Sequence, residues 1–336
     1  MRRVTAATRL VDAWYRPRLM AAMLPLVPLS WLYGAVVALR RRLYRAGLLK
    51  SRRVSRPVII VGNLTVGGGG KTPATLALAR ALAARGARPG IVSRGYGGAA
   101  HGPTPVRADD EAARVGDEAV LLATAGFPVF VGRDRAGAAA ALIAAHPECT
   151  LIICDDGLQH LALARDAEIV MVDATRGFGN GHLLPAGPLR EPRARLLCAD
   201  AVAWLGADPP PTEGARETRV THRALPFRRV ADDAELADAV AAWQGLHVVA
   251  IAGIANPQRF FALLGTLGVN ATTVALDDHH RYVAGDLPAH ADIVLMTQKD
   301  AVKCRRFVDA RCYYLPIEAV LDPRLVERVA TLIGNA

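Results

Sequence analysis

The sequence predicts an α/β protein: a parallel sheet with helices on both faces, then a second, smaller α/β domain, with an apolar, membrane-associated helix ahead of both. Three observations carry this reading. From residue 57 onward, short β-branched runs alternate with alanine-rich stretches, the pattern of strands joined by crossover helices. A proline-rich interruption at 206–217 divides that series in two. Residues 19–39 carry no charge and have arginines at both ends.

Taken in order, the N-terminal segment 1–56 is basic and apolar together. Arg2, Arg3, Arg9, Arg16 and Arg18 precede the uncharged run, and Arg40, Arg41, Arg42, Arg45, Arg52, Arg53 and Arg56 follow it. The run is as long as the roughly 20 residues that span a bilayer. Pro25 and Pro28 fall inside it, so an interfacial helix held by arginines at the headgroups fits better than a spanning one. Basic flanks on both sides and the lack of a small-residue cleavage site argue against a secretory leader.

The strand series follows. PVIIVG (57–62), ARPGIVS (87–93), PVFVG (128–132), TLIICDD (150–156) and AEIVMVD (167–173) read as strands of the first domain, with a helix over 72–84. After a boundary near residue 225, HVVAIAG (247–253), a helix over 256–268, TTVALDD (272–278), ADIVLMT (291–297) and the last helix form the second unit. The expected domains are therefore 1–56, 57–225 and 226–336.

The formal net charge of +10 favours anionic partners,. Aromatic residues are only 5% and are not interleaved with a basic patch, so nucleic acid ranks below a membrane surface. The five cysteines form no CxxC pair, which points to a reducing compartment rather than disulfides or zinc.

Chemistry concentrates in VGNLTVGGGGKTP (61–73), where a strand feeds a glycine run and Lys71 and Thr72 open a helix. Glycines let backbone N–H groups converge on phosphates, the lysine reaches the β- and γ-phosphates, and the threonine hydroxyl is a Mg²⁺ ligand. This is a P-loop NTPase-like arrangement, with Thr65 standing where the strict pattern has its first glycine. Thr65, Gly67, Gly68, Gly69, Gly70, Lys71 and Thr72 are the expected nucleotide contacts. Asp155 and Asp156 end a strand, on the side of a parallel sheet that faces its ligands. Either would complete the metal site with Thr72.

Several segments together resemble the tetraacyldisaccharide 4′-kinases of lipid A biosynthesis. They are 61–73, SRGYGG (93–98), GDEAVLL (116–122), DDGLQH (155–160), RGFGNGHLLPAGPLREP (176–192), GIANPQRFF (253–261), DHHRY (278–282) and TQKDAVK (297–303). Four positions depart from the family pattern: Gly69, Leu276, Asp277 and Gln298. The resemblance implies ATP and Mg²⁺ as cofactors and a tetraacylated, 1-phosphorylated glucosamine disaccharide as acceptor. It implies docking on the cytoplasmic side of the inner membrane.

From the residues alone, Asp117 reads as an ordinary helix cap. The resemblance makes it the catalytic base, paired with His279 or His280, with His279 preferred. Arg135 is expected at the nucleotide. Tyr96, His160, Asn180, Arg190 and Glu191 are expected at the acceptor. Asn256-Pro257 reads as a helix start. The rival reading is a membrane-associated P-loop ATPase without an acceptor. Val66 stands where such ATPases commonly carry a lysine, and that favours transfer. A nucleotide-sensing scaffold is the third class, and it needs no acceptor-side base.

Overall fold

The computed structural model describes residues 6–16, 18–206 and 216–334. Arg2, Arg3 and the proline-rich 207–215 lie outside them. The strands are β1 (Val58–Asn63), β2 (Pro89–Ser93), β3 (Thr104–Val106), β4 (Val129–Val131), β5 (Leu151–Asp155), β6 (Ala167–Asp173) and β7 (Ala201–Leu205). They continue with β8 (Glu217–Ala224), β9 (Arg228–Arg229), β10 (Val248–Ala252), β11 (Thr272–Ala275), β12 (Ile293–Thr297), β13 (Cys312–Leu315) and β14 (Ile317–Leu321).

Among the described residues the larger sheet has nine strands in the order β14-β8-β7-β6-β1-β5-β2-β4-β3. Its centre is parallel, with β1 between β5 and β6. The run VIIVGN is buried along its whole length because both faces of the sheet are covered. Ile59 and Val61 join the core on one face, and Val58 and Ile60 the core on the other, as the two-residue period of a strand requires. Strand order reverses at β1, so a crevice opens at the carboxyl ends of β1, β5 and β6. Those ends are Asn63, Asp155 and Asp173.

The smaller sheet, β11-β10-β12-β13-β9, has its own cores around Phe260, Trp243 and Leu295 on one face and Ile251, Met296 and Tyr314 on the other. Its insertion point differs from a simple restart of the chain. β14 returns to the larger sheet and pairs antiparallel with β8. The last helix, Pro323–Gly334, puts Leu325, Val326 and Val329 into the larger core, not the second unit expected to hold it. The second unit is thus spliced between β8 and β14.

The N-terminal segment also differs in detail. A 3-10 turn, Ala21–Leu26, contains Pro25 and runs into a helix, Val27–Arg45, with Pro28 in its first turn. There the missing N–H of Pro28 has no intrahelical partner to lose, and Pro25 lies in the 3-10 turn ahead of the helix, so the helix itself is uninterrupted. The combined Ala21–Arg45 segment is long and apolar enough to cross a membrane, with mean hydropathy 1.8 in its most apolar window. Leu29, Trp31, Leu32, Val36 and Leu39 project outward, Trp31 with 71% of its surface exposed.

Candidate active site

The phosphate loop is shaped by its glycines. Gly70 caps the helix Lys71–Ala83 with φ of +72°. A Cβ there would lie 2.4 Å from Leu205 Cδ2, so only glycine fits both conformation and space. Gly67 also has positive φ, and a Cβ on it would sit 3.4 Å from Ala255 of the second unit. The loop is thereby covered by residues that arrive late in the sequence. Lys71 Nζ donates to Asn63 Oδ1 at 3.2 Å and lies 3.5 Å from Asp156.

The paired aspartates part ways. Asp155 is fully buried and accepts from Thr72 Oγ1 and Thr75 Oγ1, each at 3.0 Å. Burial, then the charge of Glu118, push its carboxyl up to about 7; Lys71 pulls it down and Asp156 adds a smaller push upward. Asp156 has φ of +51° and receives both Arg190 nitrogens, at 3.2 and 2.9 Å. Burial opposes its charge, but Lys71 and Arg190 outweigh that and hold it well below the usual carboxylate range. Arg190 Nη2 also reaches Asn63, through the backbone oxygen at 3.1 Å and through Oδ1.

Among the described residues no cluster of three or more His, Cys, Asp or Glu could hold a metal unaided. Mg²⁺ needs no such cage, since one or two carboxylates plus substrate phosphates suffice. The Thr72–Asp155 pair fits that demand: a hydroxyl and a buried carboxylate whose hydrogen-bonding partners among the described residues are hydroxyls, at the helix that follows the phosphate loop.

Across the crevice, His279 Nδ1 lies 3.0 Å from Asp117 Oδ2. Asp117 is 5% exposed and begins the helix Asp117–Ala123, where Gly116 takes the cap position. Its side chain therefore does not cap; Oδ1 accepts from Glu118 N at 2.9 Å while Oδ2 faces the second unit. Burial works against its charge, but the His279 bond and the nearby Lys299 and Lys303 win and keep its carboxyl below the ordinary value. Burial likewise works against the His279 cation, and the bond to Asp117 overrides it, raising the imidazole above 6.5. His279 has φ of +57°. Sparsely populated backbone of this kind gathers at functional sites. His280 turns away to Asp286 at 2.9 Å. Glu118, next to Asp117 in the chain, also acts by its charge on Asp155.

The other expected residues scatter. Tyr96 is 56% exposed, and its ring lies 4.8 Å from that of His279. Arg135 is buried and reaches the Asp156 backbone oxygen only at 3.5 Å. His160 sits near Arg135 with Nε2 buried and unpartnered among the described residues, and burial brings it down to about 4. Asn180 spends its amide inside its own loop, donating to Ala186 O and accepting from His182 N. Glu191 lies under the N-terminal helix against Gln159, Arg195 and Arg41. Asn256 does precede its helix, with Pro257 in the first turn, but its side chain makes no capping bond.

Several residues at the site carry no role in the sequence reading, among them Asn63, Thr75, Glu118, Arg176, Lys299 and Lys303. Arg176 bridges the units by donating to Ala255 O at 2.7 Å. Lys299 and Lys303 stand four apart on the helix Gln298–Cys304 and face Asp117 together. That i, i+4 spacing was the available signal.

A parallel sheet with a glycine loop, Lys-Thr and an aspartate pair at its carboxyl edge defines a P-loop phosphotransferase fold. Residues 22–334 match the family model described as Tetraacyldisaccharide-1-P 4′-kinase. A tetraacyldisaccharide 4′-kinase of Chromobacterium violaceum is 48% identical over 328 residues, covering 95% of this chain and 96% of that one. One from Azoarcus sp. is 49% identical over 321 residues, covering 94% and 93%. Among solved structures, an LpxK from Aquifex aeolicus in complex with ATP superposes with a TM-score of 0.78 at 27% identity, covering 93% of this chain and 99% of that one. The chain belongs to the tetraacyldisaccharide 4′-kinase family.

Proposed function

We propose that this chain transfers the γ-phosphate of ATP to the 4′-hydroxyl of a tetraacyl disaccharide 1-phosphate, at a membrane surface, in lipid A synthesis. The observation that carries the reading is the meeting of two sets of groups in one crevice. A phosphate loop with its Thr72–Asp155 pair lies on one side, and a buried Asp117–His279 pair on the other.

The triphosphate lies along residues 65–72, with Lys71 and the amino end of its helix drawing charge off the β- and γ-phosphates. Thr72 and Asp155 would hold Mg²⁺, which would supply charge neutralisation at the transferring phosphoryl group. Asp156 serves by fixing Arg190 and Lys71. Arg190 then offers its planar fork to phosphate oxygens. Asp117 accepts the hydroxyl proton as the acceptor oxygen bonds to the γ-phosphorus and the bond to the β–γ bridging oxygen breaks, releasing ADP. His279, charged below its raised pKa, keeps that carboxylate oriented. Ala255 over the phosphate loop limits water access to ATP,. Tyr96, exposed beside His279, packs against the sugar; His160, Asn180 and Glu191 act through the loops they brace.

An acceptor with acyl chains stays in the bilayer, so the catalytic crevice must come to it. The exposed apolar face of Ala21–Arg45, flanked by arginines, supplies the docking surface on the inner membrane,.

The test is transfer of label from γ-labelled ATP with Mg²⁺ to a detergent-dispersed tetraacyl disaccharide 1-phosphate. Label should enter the lipid, and Asp117→Ala should lower the rate by about 10²–10⁴. ATP hydrolysis with no label in the lipid, where a known kinase succeeds, would reject the acceptor.

A further inference from the structure

Asp117 Oδ2 meets more than His279. Lys299 Nζ and Lys303 Nζ each lie 3.8 Å from the same oxygen. Both lysines are largely withdrawn from solvent, at 17% and 8% exposed, so their charges act through a poorly screening medium.

Each is tied down on its far side. Lys303 pairs at 2.7 Å with Asp300 and lies 5.0 Å from the centre of the Tyr282 ring. Asp300 is fully buried, fixed by Gly253 N at 3.0 Å and by Thr297 Oγ1 at 2.7 Å. Lys299 reaches Glu118 at 3.1 Å and Asp278 at 3.6 Å. It therefore joins the first turn of the Asp117 helix, in the larger unit, to the residue before His279 in the smaller one.

We propose that Lys299 and Lys303 are positioning residues that hold Asp117 ionised in the seated crevice, where burial would otherwise favour its neutral form. This deepens the function proposed above and rests on the reading of Asp117 as the base. The logic is electrostatic. A carboxylate this buried is driven toward its neutral form by desolvation. A cation within about 4–6 Å lowers a carboxyl by about 1–3 pH units. The charged groups facing Asp117 are His279, Lys299 and Lys303, with Glu118, Asp278 and Asp300 behind them. All three cations come from the second unit. Seating that unit therefore brings the burial that opposes the Asp117 charge and the cations that sustain it together.

The experiment compares kcat–pH profiles of wild type, Lys299→Met, Lys303→Met, Lys299→Arg and Asp117→Ala, with KM for ATP measured alongside. Methionine keeps the length of the stem and removes the charge. Each methionine variant should move the acid limb of kcat upward by about one pH unit, giving about a tenfold loss on that limb. KM for ATP should stay within twofold, and Lys299→Arg should restore the limb. Lys299→Met decides the matter if Lys303→Met does not fold. Activity lost without movement of the limb would show a merely structural role and overturn the proposal, as would wild-type profiles in both variants. If Asp117→Ala itself stays active, the reading of the base fails instead, and the two failures are thereby told apart.

Discussion

Asp155 and Asp156 are neighbours in the chain, yet their surroundings drive their carboxyls in opposite directions. Asp156 faces Arg190 and Lys71, whereas Asp155 faces two hydroxyls and the charge of Glu118. Without a cation, a charged Asp155 is therefore a liability to the fold. Its folded pKa of about 7 lies above the ordinary 3.8, so the folded state holds the proton more tightly than the unfolded one. Stability from this group is complete below about pH 3.8 and declines as pH rises toward 7,. Asn in its place can accept from one threonine and donate to the other. In chelator, Asp155→Asn should thus melt higher than wild type at pH 8 by at least about 2 °C. The gap should close toward pH 5, and Mg²⁺ with ATP should protect wild type more than the variant. Parallel melting curves across that range would exclude both the buried charge and its role as ligand. The GKT and DDG segments were legible because a phosphate loop states its needs in contiguous residues. Asn63 was not, because a strand-end amide means nothing until Lys71 and Arg190 are folded against it.

At the scale of elements, the helix Val27–Arg45 divides its surface between core and solvent. Ser30 Oγ donates to Leu183 O at 2.7 Å and accepts from Ala186 N, and Tyr33 donates to Arg190 O. These bonds seat the helix on the loop that delivers Arg190. Leu29, Leu32, Val36 and Leu39 recur at helical spacing on the other side, all more than half exposed. If that stripe enters a bilayer, each side chain contributes about 1.5–3 kcal/mol. The double variant Leu32→Glu with Val36→Glu should then lower co-sedimentation with anionic vesicles at least about tenfold. ATP affinity should stay within twofold, because neither side chain points toward the phosphate loop. Undiminished vesicle binding would mean that the docking surface lies elsewhere. Composition made the stripe visible, and the arginines marked its ends. The inner face was hidden, because Ser30 and Tyr33 find backbone oxygens more than 150 residues away.

For the whole molecule, the decisive fact is that the chain leaves the larger sheet after β8 and returns to it as β14. Alternation of strands and helices foretold two α/β units but not this return. A short strand and an amphipathic last helix suit either sheet, and only their partners decide. The consequence is mechanical: the second unit hangs on two chain connections, near 225–227 and at Pro316, and carries His279, Lys299 and Lys303 to the larger one. Closure is also held by Arg176 on Ala255 O and by Arg259, 3.5 Å from Asp173. His279 is the side chain here whose type titrates near neutrality, and Asp117 is held below its ordinary value. The His279 pKa is raised by Asp117 against the effect of burial, so its contribution is full below about pH 6.5 and is lost as pH rises through the folded value. Closure should weaken over that window. Cys198 is exposed on the larger unit while the other four cysteines are buried, and Leu246 is 43% exposed on the smaller. Dyes on Cys198 and on a Leu246→Cys variant should report a single step in energy transfer above pH 6.5, absent when His279→Gln is added. A wild type without the step, or a variant that keeps it, would mean that Arg176 and Arg259 hold the units together without help from the histidine.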